Sequence, residues 1–118
     1  MHILVADDDP VVREVVRRYL EHDGMTVTEA ADGPATLTDK APGHLQPDAA
    51  PFAEGLARAL AAADTTALAA LDPATCDRLW MRGRAALQVL AAATDGLAGE
   101  LVAEESPFGV QYLLARWA

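Results

Sequence analysis

Residues 2–10 read His-Ile-Leu-Val-Ala-Asp-Asp-Asp-Pro, and this stretch indicates the fold class. An apolar run with β-branched members is typical of a strand that is buried on both faces, as in a parallel sheet. Asp9 and Pro10 follow as a side-chain cap and a residue whose fixed φ suits a first helical turn. The stretch therefore predicts a buried strand that passes directly into a helix.

An amphipathic helix is predicted at 10–22, because its apolar residues recur at helical spacing and charged residues fill the opposite face. Gly24 supplies the end of this helix. Met25 to Ala30 is rich in threonine and valine and predicts a second strand, and Asp32-Gly33-Pro34 is a turn signal. Strand, helix and strand in this order predict a βαβ unit of a parallel sheet.

The remaining chain changes character after Leu37. Residues 38–51 hold several prolines with little periodic pattern and are interpreted as a linker or loop. Residues 52–118 predict an alanine-rich helical segment and a C-terminal β-hairpin, although a helix at 110–117 competes with its second strand. We expect an α/β fold with one small mixed sheet. The predicted elements are helices at 52–63, 65–71 and from Asp72-Pro73 to about Asp95, and strands at Leu101–Glu105 and Val110–Trp117.

The formal net charge of −9 over 118 residues makes the chain acidic. Acidic surfaces repel phosphate backbones and anionic lipid, so we expect neither nucleic-acid nor membrane binding. Cys76 is the only cysteine, which excludes an internal disulfide and a cysteine-based zinc site. Three aspartates at 7–9 interrupt the first apolar run before it is long enough for the apolar region of a signal peptide. No apolar run approaches the ~20 residues that a membrane span needs. We therefore expect a cytoplasmic protein.

Residues 3–10, ILVADDDP, resemble the first strand and acidic corner of the receiver domain of bacterial two-component response regulators. The likeness covers residues 1–37 and includes residues 27–33, VTEAADG. In that family a carboxylate pair holds Mg²⁺ while a phosphoryl group moves onto a third aspartate. The resemblance implies that Asp7 and Asp8 bind Mg²⁺ and that Asp9 caps the helix. The alternative interpretation, which does not use the resemblance, is that the three aspartates only end a strand and cap a helix.

Phosphorylation in this family needs an aspartate at the end of the third strand, after a Pro-Asp pair. Here Pro47-Asp48 is followed by Ala-Ala-Pro-Phe-Ala-Glu-Gly, and the matching position is Ala53, with Glu54 beside it. Pro51 interrupts the run, and proline is excluded from central strands. Lys40, the only lysine, lies too early to match the lysine of the family's fifth strand. We therefore predict a truncated receiver that does not take up phosphate.

Residues 47–118 resemble the C-terminal end of alanine-rich, actinobacterial class III extradiol dioxygenase-like proteins. That family opens catechol rings with O₂ at an iron held by two histidines and a carboxylate. The histidines of this chain match none of those ligands, so we expect no iron. The likeness is carried by Leu71-Asp72-Pro73, residues 83–90 (GRAALQVL), residues 106–113 (SPFGVQYL) and Arg116-Trp117. The other candidates are interpreted as structural: His2 at a strand edge, His22 at a helix end, His44 in a solvated loop, Glu104 and Glu105 on a solvated strand, and Trp80 and Trp117 in core or hairpin packing.

Three functions remain open from the sequence. The receiver resemblance has the more specific motif, and it favours a response-regulator-like signalling protein that is not an enzyme. The alternatives are an inactive extradiol-dioxygenase-like fragment and a hybrid reading frame without selected function. A protein partner or a second copy of the chain is expected at the helix 10–22 or at an exposed sheet edge. An unpaired apolar edge favours dimerisation or aggregation.

Overall fold

The computed structural model describes residues 3–5 and 27–118. The predicted helix at 10–22 therefore lies outside the described residues. A 3₁₀ turn, Pro107–Gly109, precedes the last strand. The strands are β1 (Ile3–Val5), β2 (Val27–Asp32), β3 (Gly99–Glu105) and β4 (Tyr112–Trp117), and the helices are α1 (Ala49–Ala61), α2 (Thr65–Ala69), α3 (Pro73–Arg78) and α4 (Arg84–Ala93).

The strands form one mixed sheet with the order β1-β2-β4-β3. β1 runs parallel to β2, with Val5 opposite Glu29. β4 pairs antiparallel with β2 on one side and with β3 on the other. The α/β class and the C-terminal hairpin are confirmed, and the competing interpretation of residues 110–117 as a helix is wrong.

The core lies between the sheet and the helices. Alternate residues of β4, Leu113, Ala115 and Trp117, belong to one buried cluster with Leu60 of α1 and Leu87 of α4. This two-residue period is what a strand with one face against helices requires. β4 therefore contributes the side chains through which the sheet packs against the helical segment.

The predicted linker at 38–51 is too long, because α1 already begins at Ala49. Pro51 occupies the third position of α1, where a backbone N–H has no partner within the helix. The missing donor of proline therefore costs this helix nothing, and its ring meets no preceding turn. Proline marked a loop in the sequence pattern, yet here it lies in a first turn.

The single long helix predicted from Asp72-Pro73 to about Asp95 is two helices. α3 ends in a Schellman motif, in which Trp80 N–H donates to Asp77 O at 3.1 Å and Met81 N–H to Cys76 O at 2.9 Å. Trp80 takes the left-handed position of this motif, with φ of 57°. The start is as predicted, since the Asp72 carboxylate accepts from Thr75 N–H at 3.0 Å.

Candidate functional site

The proposed metal ligands Asp7 and Asp8 lie outside the described residues, as do His2 and His22. Their strand is described up to Val5, which lies opposite Glu29 of β2. Because β1 and β2 are parallel, their carboxyl ends share one edge of the sheet. In α/β folds this is the edge at which ligands bind.

The position that matches the family's phosphoacceptor lies on a helix. Ala53 is buried in α1, and its carbonyl accepts a 3.0 Å hydrogen bond from Gln111 Nε2. Glu54 beside it is exposed, and so is Lys40. The side chain of Ala53 is a methyl group, so this position offers no carboxylate to a phosphoryl donor.

The residues considered for an iron site are dispersed. His44 is exposed in the loop after β2, where its Nδ1 lies 3.3 Å from Asp39 O. Glu104 and Glu105 are exposed on β3, and Glu104 Oε2 accepts from Gln111 Nε2 at 2.7 Å. Within residues 3–5 and 27–118, no group of three or more histidine, cysteine or acidic side chains is placed to hold a metal ion.

A cleft of about 150 Å³ opens at the carboxyl end of β2. Its lining includes Asp32, the last residue of β2, and Tyr112, which lies opposite it on β4. Trp80 and Arg82, from the turn between α3 and α4, line the same cleft. Asp32 is only 5% exposed, whereas Trp80 is 55% exposed. The cleft thus combines a buried carboxylate, two aromatic rings and an exposed guanidinium.

Trp80 lies at this cleft in a strained backbone conformation. A bulky residue with positive φ is a conformational outlier, and such outliers cost on the order of 1–3 kcal/mol. Gly43 packs against the indole so closely that a Cβ there would lie 2.9 Å from Trp80 Cγ. The buried neighbours Leu79 and Met81 anchor the turn on either side. The surrounding structure therefore determines where the indole lies.

Two residues of the cleft were assigned other roles by the sequence. Asp32 was placed in a turn, but β2 continues to this residue, two positions beyond the predicted strand end. Trp80 was assigned to packing, and its indole does pack against Gly43, although the residue is 55% exposed. Trp117 is buried as predicted, with Nε1–H donating to Leu60 O at 2.8 Å. The available signal for Asp32 was its position two residues after the end of a predicted parallel strand.

The one thiol of the chain is not a candidate nucleophile. Cys76 is buried within the apolar cluster under α3. Burial raises the pKa of the Cys76 thiol, which opposes formation of the reactive thiolate. Its role is therefore packing.

Comparisons with known proteins identify no relative: no family model, no curated protein and no solved structure matches this chain. Among the described helices, none is long and apolar enough to cross a bilayer.

Proposed function

We propose that this chain is a receiver-derived binding module of the two-component signalling class, which binds a cation but does not accept a phosphoryl group. The resemblance of residues 1–37 supports the first part. The observation that carries it is the parallel pairing of Ile3–Val5 with Val27–Glu29, the strand arrangement that a βαβ unit requires. Asp7 and Asp8 would be the Mg²⁺ ligands, since carboxylate oxygens are the donors that this ion prefers.

The sheet order supports the loss of phosphorylation. In the doubly wound order 2-1-3-4-5, the first strand lies between the second and the third. Here β1 is an edge strand of the described sheet, and β2 has the antiparallel β4 as its other neighbour. The segment after Pro47-Asp48, where the family has its third strand, is α1. A phosphoryl group positioned by Asp7 and Asp8 would therefore lack an acceptor opposite them.

Phosphorylation is tested with acetyl phosphate and Mg²⁺, followed by intact-mass measurement. We expect no added phosphoryl group. An adduct that maps to an aspartate, and that disappears when this residue is changed to asparagine, would overturn the proposal. A receiver protein that phosphorylates under the same conditions serves as the positive control.

Cation binding is tested by titrating Mg²⁺ while tryptophan fluorescence is recorded, because Trp80 lies at the carboxyl end of β2. We expect a saturable change at millimolar Mg²⁺ that is lost in Asp7→Asn and Asp8→Asn. Glu105→Gln, which removes an exposed acid from β3, is the matched control and should keep the response. An unchanged signal in the wild-type chain would remove the receiver chemistry from the proposal.

Iron analysis and a catechol-cleavage assay distinguish this proposal from the extradiol-type fragment. We expect neither bound iron nor ring opening. Bound iron or ring opening would contradict the proposal, because either one needs a metal site that the described residues do not form.

A further inference from the structure

We propose that Asp95 is a site of spontaneous isoaspartate formation in the folded protein. Asp-Gly is the dipeptide in which this reaction is least hindered, because glycine has no side chain beside its backbone nitrogen. The sequence contains three such dipeptides, Asp23-Gly24, Asp32-Gly33 and Asp95-Gly96, of which the first lies outside the described residues. The inference goes beyond the proposed function, because it needs neither Mg²⁺ nor a phosphoryl donor.

The reaction joins the Asp95 side chain to the next backbone nitrogen. Gly96 N attacks Asp95 Cγ of the protonated carboxyl, so that an N–Cγ bond forms and the bond from Cγ to the hydroxyl oxygen breaks. The hydroxyl leaves with the N–H proton as water. Water then reopens the resulting succinimide ring at one of its two carbonyls. Attack at Cγ restores aspartate, whereas attack at the main-chain carbonyl gives isoaspartate, in which the main chain runs through Cβ and Cγ.

Asp95 and Gly96 lie exposed in the loop between α4 and β3. Within residues 3–5 and 27–118, neither the Asp95 carboxylate nor the Gly96 N–H has a hydrogen-bond partner. A Cβ built on Gly96 would meet no atom within 4 Å beyond its chain neighbours, so the surroundings leave space for ring closure. A loop backbone without such bonds can reach the geometry of attack, which a helix or sheet hydrogen bond to this nitrogen would oppose.

The exposed pair is flanked by anchored residues. Thr94 Oγ1 donates to Leu90 O at 2.9 Å, and Ala98 exchanges two backbone hydrogen bonds of 2.9 Å with Ala118. Leu97 packs against the apolar cluster. The reaction at the tip of this loop therefore requires no opening of α4 or β3, and it proceeds in the native state.

Asp32-Gly33 has the same two residues but a protected backbone. Gly33 N–H donates to Gln111 O at 2.8 Å, and a Cβ on Gly33 would overlap the Gln111 side chain. Asp32 is 5% exposed and pairs with Tyr112 in the sheet. The nitrogen can attack only after this part of the sheet has opened, so reaction at Asp32 depends on local unfolding. The structure thus separates two positions that are equivalent as dipeptides.

The test is incubation of the full chain at neutral pH, with peptide mapping by chromatography and mass spectrometry at intervals. Isoaspartate has the mass of aspartate, so it is identified by its separate elution and by labelling with a carboxyl methyltransferase specific for isoaspartate. The succinimide is lighter by one water. We expect product to accumulate at Asp95 at least about tenfold faster than at Asp32, and both positions to react at similar rates in denaturant.

Asp95→Glu is the control variant, because the same attack on glutamate needs a larger ring while the charge at this exposed position is kept. It should fold as the wild type does and form no product in this loop. Absence of product at Asp95 in the native chain, or equal rates at Asp95 and Asp32 while circular dichroism shows the chain folded, would overturn the proposal. Neither outcome bears on the Mg²⁺ test.

Discussion

At the residue scale, Ala63 and Trp80 occupy left-handed positions that glycine usually fills at helix ends. Both follow the Schellman pattern: Asp64 N–H donates to Ala59 O at 2.9 Å after α1, as Met81 N–H does to Cys76 O after α3. The hydrogen bonds of the motif and burial of Met81 offset the steric cost of a Cβ in this conformation. Tertiary contacts thus determine a local conformation that residue type disfavours.

The ion pair of Asp48 and Arg78 joins the start of α1 to the end of α3, with Arg78 Nη1 donating to Asp48 Oδ1 at 2.9 Å. The hydrogen bond from Arg78 lowers the pKa of the Asp48 carboxyl below its ordinary value. A lowered pKa stabilises the fold above the ordinary carboxyl range, and this stabilisation is lost as the pH falls through the lowered value. The effect should be small, because both side chains are about half exposed.

We therefore expect Asp48→Asn to lower Tm slightly at neutral pH and to make no difference well below about pH 4, where the wild-type carboxyl is protonated. Thermal unfolding of both proteins across this pH range measures the difference directly. Combining the change with Arg78→Gln should lower Tm no further at neutral pH. A difference between wild type and Asp48→Asn that grew on acidification would contradict this assignment of the ion pair.

At the element scale, β4 and the residue before it are joined to α1 by two side-chain hydrogen bonds. Gln111 Nε2 donates to Ala53 O, and Trp117 Nε1–H donates to Leu60 O at 2.8 Å. Both acceptors are backbone carbonyls of α1, and both donor side chains are buried. These bonds hold the sheet against the helix more specifically than apolar contact alone does.

Trp117→Phe should lower the free energy of unfolding by roughly 1–3 kcal/mol, because the bond to Leu60 O is lost in a buried site. Chemical denaturation monitored by circular dichroism measures this. Trp80→Phe makes the same chemical change at an exposed position and should shift stability far less. Equal effects of the two substitutions would mean that the Trp117 bond contributes little.

At the scale of the whole molecule, the buried cluster draws residues from α1, α2, α3, α4 and β4. β2 joins the rest of the sheet through β4, in the mixed sheet that the sequence predicted. The N-terminal strands and the alanine-rich C-terminal segment are thus joined by strand pairing.

We expect the described part of the chain to unfold in one cooperative transition. Circular dichroism, Trp117 fluorescence in a Trp80→Phe background and labelling of the Cys76 thiol should then report coincident midpoints. Cys76 is suited to this because it is buried, so native protein should react slowly with a thiol reagent. Separate midpoints for the strand and helix probes would show that the two segments fold independently.

The sequence predicted those features that depend on neighbouring residues. Asp72 followed by Pro73 predicted the start of a helix, and the turn at 106–109 predicted the hairpin, although a helix at 110–117 stayed open. It failed at Trp80, because apolar periodicity continued through a turn that only tertiary packing reveals. It also failed at Pro51, because a proline in a first turn and a proline in a loop look alike in sequence.

Local chemistry along the chain determined the class of the protein: an acidic α/β protein with a capped helix start at Asp72-Pro73 and a C-terminal hairpin. Tertiary structure alone decided which strands are neighbours, that β2 runs between β1 and β4, and that Asp32 and Trp80 line one cleft. The physical reason is range, since caps and turns act over three or four residues, whereas sheet order and clefts depend on burying surfaces that are distant in the chain.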